Sequence, residues 1–406
     1  MPSSPLRASA LLAALVAALA PATAFADNLT WTGAVARAER NAPRILAEQA
    51  RVDEARHGEG VATMLPNPTV AVGSYFESSR LYASLLVPLP IWGSVGLAGD
   101  AARSRTAEAE AQRRATRLDV GVTALAAWVE VWAAHARLHD AEANAARLGR
   151  LVEAVRDLNA QGQRPRLDLV SATGELAAAR ADEEAARHAL TAARSLLAAA
   201  VGTPDNEAPP DIEGDPPGAD DDTPLATAVA TAAGNPAVDV FRARAASARA
   251  DEALEQRLRI PTPSLQVWAY LLRVSNPPAD VYVGLTFELP IFNQRGPLIE
   301  RARARELTAR ADADATEAQL RAQTRAAWAL FQAERSRAEI HTREVVPAAD
   351  EAADLAQEAY RAGRLDLTGL LAAEQRRLLA HQRADQAVAD RARALAALRR
   401  SMGGPR

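Results

Sequence analysis

Hydrophobic and polar positions along this chain follow two periods, one typical of helices and one typical of strands. Apolar residues recur at helical spacing over residues 29–64. Two strand-like runs follow at about 69–76 and 81–89, joined by a polar turn. A long helical pattern covers about 96–159, and a further helix ends near Val201. We therefore predict the order helix, β-hairpin, long helix, turn and helix.

The second half of the chain repeats this order. A helical pattern covers about 225–259, and strand-like runs follow at about 265–274 and 281–289. The last run alternates apolar and polar residues, as a sheet with two different faces requires. A long helix to about Ala362 comes next, with a kink expected at Pro347, and a final helix closes the half.

Sequence motifs repeat together with the pattern. Leu89-Pro90-Ile91-Trp92-Gly93 returns 200 residues later as Leu289-Pro290-Ile291-Phe292-Asn293. Two further pairs repeat at nearly the same spacing: Trp128 with Trp328, and Arg166-Leu167-Asp168-Leu169 with Arg364-Leu365-Asp366-Leu367. Because these motifs recur in the same order at nearly the same long spacing, we infer an internal duplication.

The duplication divides the chain into four segments. We predict a signal peptide at 1–26, a first repeat at 27–201, a linker at 202–224 and a second repeat at 225–402. The linker is rich in Pro, Gly and Asp, and its acidic run at 220–222 is interpreted as a solvated connection between the halves.

The N-terminal segment has the three parts of a secretory signal. Arg7 supplies the positive charge, Ala8 to Ala20 the apolar core, and Ala24-Phe25-Ala26 the cleavage site. The alternative is an anchored N-terminal helix, but the apolar run is shorter than the ~20 residues that a membrane span needs. The sequence therefore predicts an exported protein.

Composition narrows the function classes. The hydrophobic fraction is 49%, but aromatic residues make up only 4%, which suits long alanine-rich helices better than several bulky cores. The net charge of −4 gives no indication of a nucleic-acid partner. Cysteine is absent, which excludes disulfides, thiolate metal sites and a cysteine nucleophile.

The predicted strands are about as long as the ~9–11 residues that cross a bilayer as a tilted strand. A sheet in hydrocarbon must close on itself, and the smallest single-chain barrels use about eight strands. One chain offers four predicted strands, so a membrane location requires an oligomer. The alternative is a periplasmic coiled-coil scaffold or adaptor whose hairpins never meet lipid. The helix from Gly96 to Gly162 would span roughly 100 Å, which favours lateral packing in a long bundle.

Several motifs resemble the TolC-like outer membrane factors of Gram-negative bacteria, also called outer membrane efflux proteins. The opening Leu29-Thr30-Trp31 and the tip sequence Gly363-Arg364-Leu365-Asp366-Leu367 are similar to that family. Met64-Leu65-Pro66-Asn67-Pro68 resembles the form found in its CzcC-like metal-efflux branch. The resemblance implies a mainly helical trimer whose twelve-stranded β-barrel continues into a periplasmic α-helical barrel.

The resemblance also implies a function. The chain would be the outer-membrane exit duct of a tripartite efflux pump, docked to a periplasmic adaptor and an inner-membrane transporter, with heavy-metal cations or small molecules as cargo. It would be neither an enzyme nor a cofactor protein. Two groups of residues become candidates: Asp168, Asp366, Glu175 and Glu374 at the pore entrance, and Gly162, Arg166, Gly363 and Arg364 at tips that contact the adaptor.

Other chemistry has little support in the sequence. No phosphate-binding loop, zinc-protease motif or catalytic triad is found, so a secreted hydrolase is not favoured. His135 and His139 are four residues apart on one helical face, a spacing that can bind a metal, but no further ligand is clustered with them. We interpret them as ordinary polar-face histidines, and no metal site is predicted.

Overall fold

The fold was analysed in a computed structural model. The described residues lie in four stretches: 28–75, 80–204, 207–272 and 281–404. The predicted signal peptide lies outside the described residues, and so do most of the two predicted strand-connecting turns.

Each half contains two short helices, a β-hairpin and a pair of long helices. The elements of the first half are α1 (Trp31–Asn41), α2 (Pro43–Ala62), β1 (Thr69–Tyr75), β2 (Arg80–Pro88), α3 (Ser94–Ala160) and α4 (Arg166–Val201). Those of the second half are α5 (Leu225–Ala232), α6 (Pro236–Arg257), β3 (Pro263–Leu272), β4 (Val281–Phe287), α7 (Gly296–Ile340), a π-helical segment (His341–Val345), α8 (Val346–Arg361) and α9 (Leu367–Met402).

The first helical segment of each half is broken by a proline, although the sequence pattern predicted continuous helices over 29–64 and 225–259. Ala42 adopts an extended conformation before Pro43, because a residue before proline is disfavoured in helical geometry. Asn235 does the same before Pro236, and its side chain accepts a hydrogen bond from the Ala237 amide. Both prolines then occupy the first helical turn, where no amide donor is missed.

The long helices pack through small side chains. Helix α3 has 67 residues and therefore extends for roughly 100 Å. The buried positions of α9 are mainly alanine, and α3 combines alanine with Val, Leu and the fully buried Trp128. Small residues let neighbouring helices approach closely along their whole length. Within the described residues no helix is both long and apolar enough to span a bilayer.

Two tryptophans at equivalent positions fix the chain segment that precedes the first helix of each half. The Trp128 indole donates a hydrogen bond to the Leu29 carbonyl oxygen at 2.6 Å, just before α1. The Trp328 indole donates to the Thr223 carbonyl oxygen at 2.9 Å, just before α5. The duplication thus extends to a tertiary contact as well as to the order of elements.

Helices α4 and α9 end at glycines with left-handed backbone geometry. Gly202 has φ +69° and Gly403 has φ +96°. A Cβ at Gly202 would lie 2.6 Å from the Asn41 carbonyl oxygen, and one at Gly403 would lie 2.8 Å from the Asn235 Cα atom. Each glycine therefore permits both the C-terminal turn and a close approach to the helix break of its own half.

The long helix of the second half is interrupted where a kink was expected at Pro347. Helix α7 ends at Ile340, and the π-helical segment carries the chain to Val345 before α8 begins. Proline has no amide hydrogen and its ring clashes with the carbonyl one turn earlier, so the preceding turn widens.

The linker at 202–224 is packed against the helices in part, which corrects the expectation of a solvated connection. Asp211 binds Arg194 at 2.5 Å and His135 at 2.8 Å. Burial alone would raise the pKa of Asp211, but hydrogen bonds from His135 and the Ile212 amide lower it below its usual value. This part of the linker is thus tied to α3 and α4.

Two acids of the linker's acidic run are also paired with arginines. Asp221 is half-buried and lies 3.3 Å from Arg399 of α9, and Asp222 binds Arg335 of α7. Both partners lie in the second half of the chain, so the described part of the linker contacts helices of both halves. Composition predicted a loop correctly but gave no indication of these partners.

Candidate functional site

The four strands form one antiparallel sheet in the order β1-β2-β3-β4. Within two residues, the strands occupy the runs predicted from the alternating pattern. Strands β2 and β3 come from different halves and pair along their length, from Pro88 opposite Ser264 to Leu81 opposite Leu272. The duplicated hairpins thus join in one chain, and β1 and β4 form the two edges.

One face of this sheet is almost entirely apolar, with Ser74 as a polar exception near the end of β1. The register aligns Val70, Leu85, Val267 and Val283 in one row across all four strands. Val70 and Val283 are 66% and 68% exposed, so the protein itself leaves this apolar face uncovered. An uncovered apolar face of this extent marks an interaction surface, and bilayer lipid suits a face without charge.

The opposite face carries polar and aromatic side chains. Gln266 accepts a hydrogen bond from the Thr286 hydroxyl at 2.7 Å, and the Tyr270 and Tyr282 rings form an edge-to-face pair with centroids 6.1 Å apart. The described side chains of this face are uncharged. A sheet with lipid on one side and water on the other requires this division.

At the far end of the molecule, the two long-helix hairpins turn at equivalent glycines. Gly162 and Gly363 have φ +73° and φ +70°. In both turns the amide after the glycine donates to the carbonyl five residues earlier, Gln163 to Leu158 and Arg364 to Ala359. These are matching Schellman motifs, and the left-handed geometry explains why both positions are glycine. Both glycines thus have a backbone role in the turns, whereas adaptor contact stays a prediction.

Asp168 and Asp366 are not structurally equivalent, although both stand in an Arg-Leu-Asp-Leu motif. Asp366 is the N-cap of α9 and accepts a hydrogen bond from the Gly369 amide at 2.9 Å. In the first half the N-cap is Pro165, and Asp168 lies in the first turn of α4. The repeated motif is thus displaced by three residues relative to the helix start.

The remaining predicted entrance residues have different surroundings. Glu175 is exposed on α4. Glu374 is largely covered and its Oε2 atom lies 3.4 Å from the Arg147 guanidinium of α3. Burial lowers the pKa of Arg147, which the Glu374 carboxylate partly offsets. Glu374 therefore connects two helices within the chain instead of standing free at the surface.

The predicted tip arginines, Arg166 and Arg364, are both exposed beside the turns. A third arginine, Arg164, joins the two tips. Its guanidinium lies 4.4 Å from the centre of the Tyr360 ring and donates to the Tyr360 and Leu365 carbonyl oxygens at 3.1 and 3.3 Å. One side chain of the first hairpin thus binds both ends of the turn region in the second.

A buried apolar cluster lies directly behind this contact. It contains residues of both hairpins, including Ala172 of α4, Tyr360 of α8 and Leu370 of α9. Burial raises the pKa of the Tyr360 phenol, the Arg164 guanidinium opposes this shift, and the Asp168 carboxylate adds to it. The tips are therefore one packed unit within the chain.

The two histidines considered as a metal pair, His135 and His139, have different surroundings. His135 is occupied by Asp211, whereas His139 is exposed. Among the described residues no group of three or more histidines and carboxylates is arranged to hold a metal ion.

Comparison with known proteins decides the family. The sequence model described as "Outer membrane efflux protein" matches residues 34–203 and 229–404, one match in each half. The chain belongs to the outer membrane efflux protein family. It is an outer-membrane efflux channel that reaches into the periplasm, a passive conduit and not an enzyme.

Solved structures share the fold of this efflux protein. CusC has 16% identity and a TM-score of 0.78, with 94% of each chain covered. A membrane protein from Pseudomonas aeruginosa has 20% identity and a TM-score of 0.76, covering 95% of this chain and 96% of the other. The outer membrane protein VceC from Vibrio cholerae has 18% identity and a TM-score of 0.73, covering 92% and 96%. A comparison with curated proteins gives no match.

Sequence reasoning did not find Arg164 of the efflux protein. Its partners are two backbone carbonyls and a ring about 200 positions away, and backbone acceptors have no sequence signature. The only available signal was Tyr360, a tyrosine beside a tip turn in a chain with five tyrosines.

Proposed function

We propose that three copies of this efflux protein assemble into an exit duct that receives cargo from a periplasmic adaptor and an inner-membrane transporter. The observation that carries the proposal is the four-stranded sheet with an apolar face and two open edges. Backbone groups at an edge must be paired in hydrocarbon, so β1 of one copy would pair with β4 of the next. Three such sheets would form a twelve-stranded barrel.

The tips at Gly162 and Gly363 are the proposed contact with the adaptor. Both turns end long helices at the end of the molecule opposite the sheet, and Arg166 and Arg364 are exposed beside them. Asp168 and Asp366 are proposed to line the periplasmic entrance. Repetition by three-fold symmetry would concentrate their charge, as charged rings do in other pores.

The proposed cargo is a heavy-metal cation, on the resemblance of Met64–Pro68 to the metal-efflux branch. The described side chains on the polar face of the sheet are uncharged, so the barrel itself offers no charge filter in this part. Growth of a deletion strain on metal salts and on organic toxins tests the cargo. Sensitivity to organic toxins alone would overturn the metal assignment while leaving the duct in place.

Cysteine cross-linking tests the assembly, because the natural chain has no cysteine. Ala71→Cys in β1, combined in turn with a cysteine at each position of β4, is expected to give dimers and trimers in outer-membrane fractions. A control pair, Ala83→Cys with Ala269→Cys, lies in register between β2 and β3 and should cross-link within one chain only. Monomers from every β1–β4 pair would contradict the shared barrel.

A further inference from the structure

The four connections between the helices and the sheet share one composition. They include residues 64–68, 89–93, 260–262 and 289–294, and we call these four segments the collar. Although 24% of the residues of the chain are charged, the collar contains no charged residue. Each of its segments leaves a large apolar side chain exposed, among them Leu65, Trp92, Ile260 and Phe292.

The turns at the opposite end of the molecule have a different composition. The first tip carries Arg164 and Arg166, and the second tip carries Arg364 and Asp366. Charged side chains are what a turn that projects into water or toward a protein partner normally presents. The uncharged, apolar composition of the collar is therefore specific to the sheet end of the molecule and is not a general property of the turns of this chain.

One backbone turn recurs in the two collar segments that follow β2 and β4. The Ile91 amide donates to the Leu89 carbonyl oxygen at 2.8 Å, and the Ile291 amide donates to the Leu289 carbonyl oxygen at 2.9 Å. A proline at the centre of each turn fixes the backbone dihedral φ close to the value that this three-residue turn requires. The residues that follow are left exposed, and the Phe292 side chain is 99% exposed.

The last turn of α6 holds both of these segments in place. Arg257 donates a hydrogen bond to the Trp92 carbonyl oxygen. Glu255 accepts one from Arg295 at 2.5 Å, just after the second segment. Arg295 has φ +56°, and its amide donates to the Asn293 side chain at 3.2 Å. Left-handed geometry is unfavourable for a residue other than glycine, so this turn is maintained by its contacts. The exposed apolar side chains thus belong to fixed turns.

The collar is continuous with the apolar face of the sheet. Val283, Leu285 and Phe287 occupy alternate positions on that face of β4. Leu289 and Ile291 follow at the same spacing, directly after the strand ends. In an outer-membrane channel this face meets lipid, and uncharged aromatic and apolar side chains are enriched where such a face reaches the lipid headgroups. Continuity with the lipid-facing surface favours a phospholipid surface as the partner of the collar.

We propose that the collar lies in the headgroup layer of the periplasmic leaflet and fixes the depth at which the channel sits in the outer membrane. The Trp92 and Phe292 rings contact the upper acyl chains of phospholipids. Arg259 and Arg295, which flank the collar on its helix side, lie at the level of the lipid phosphates, whereas Glu288 belongs to the alternating polar set of β4. The proposal uses residues of one chain, so it does not rest on the proposed trimer or cargo.

Nitroxide labels at single cysteines measure the depth, because the natural chain has no cysteine. Phe292→Cys reports the collar, Val283→Cys the apolar face of β4, and Leu307→Cys a position roughly 17 Å along α7. All three natural side chains are large, apolar and exposed, so the positions are matched. In full-length protein reconstituted into vesicles of phosphatidylethanolamine and phosphatidylglycerol, labels at 283 and 292 should lose access to a water-soluble nickel complex and collide with oxygen instead. The label at 307 should remain accessible to nickel.

Each other outcome of the labelling has a definite meaning. Nickel access at 292 equal to that at 307 would overturn the collar while leaving the sheet in lipid. Protection of 292 from both reagents would show that a second copy or another protein covers it, which would also overturn the lipid assignment. Nickel access at 283 as well would contradict lipid contact of the sheet and, with it, the collar.

Fluorescence quenching tests the native side chains without a label. Trp92→Phe gives the first turn the residue type that the second turn carries at the equivalent position, so the fold should be retained. Phospholipids brominated near the headgroup should quench part of the wild-type emission. That quenched component should be lost in Trp92→Phe and retained in Trp268→Phe, which changes the polar face of the sheet. Equal quenching in wild type and Trp92→Phe would overturn the proposal, as would stronger quenching by lipids brominated at the chain ends.

Discussion

Removing the Arg164 guanidinium should loosen the contact between the two hairpin tips. The side chain makes one cation–π contact at 4.4 Å and two hydrogen bonds at 3.1 and 3.3 Å, and it is half-buried. A cation–π contact contributes about 0.5–2 kcal/mol. Hydrogen bonds from a charged group contribute about 1.5–3 kcal/mol, and these two should lie at or below the low end of that range because they are long and partly exposed to solvent. We expect Arg164→Ala to cost about 2 kcal/mol, which is about 30-fold in the open fraction of the tip.

Thiol labelling can measure that fraction. Ala172 is fully buried in the apolar cluster behind Arg164, and Ala172→Cys adds little volume. If the cluster opens briefly before labelling, the rate is proportional to the open fraction. Arg164→Ala should speed labelling by about 30-fold, and Arg164→Lys by about fivefold, because lysine retains the charge but lacks the planar fork.

Two controls decide whether the effect is local. Ala124→Cys is fully buried in a different cluster, far along the bundle, and its labelling should not respond to Arg164→Ala. Arg166→Ala removes an exposed arginine of the same tip and should change Ala172→Cys labelling by less than about twofold. Unchanged labelling at position 172 in Arg164→Ala would refute the tip contact, and equal acceleration at both cysteines would show general destabilisation instead.

Three further substitutions test other parts of the structure. Trp128→Phe should lower stability to denaturant by about 1–3 kcal/mol, because the buried Leu29 carbonyl loses its donor, and Trp328→Phe should cost less at its half-buried site. Gly202→Ala should cost more than about 1 kcal/mol in the same assay, since the backbone is left-handed and a Cβ would clash, whereas the open Gly149→Ala should be neutral or stabilising. Asp168→Asn with Asp366→Asn should raise single-channel conductance and lower cation preference in planar bilayers; wild-type values would place the gate elsewhere.

The elements could be predicted from sequence because their signals are local. Proline and glycine mark the ends of the long helices, and alternation marks the strands, so duplicated hairpins and long helices were visible without a structure. The two short breaks at Ala42 and Asn235 were missed because helical periodicity continues across them. Proline chemistry was the better guide there than the apolar pattern.

The tertiary contacts of individual residues were much harder to predict from the sequence than the helices and strands. The Arg-Leu-Asp-Leu repeat suggested equivalent positions for Asp168 and Asp366, but the helix after the second tip begins one turn later relative to the motif. A matching motif gives the residue types but does not determine at which residue of the motif the helix begins.

The two open edges of the sheet have a consequence for how the chain reaches its final place. A single copy carries unpaired amides and carbonyls along β1 and β4, and each such group costs several kcal/mol if it enters hydrocarbon alone. An isolated copy is thus barred from the bilayer interior, while the apolar side of its sheet is poorly suited to water. If neighbouring copies pair these edges as proposed, strand pairing and membrane entry are coupled, and neither step can be completed by one copy alone.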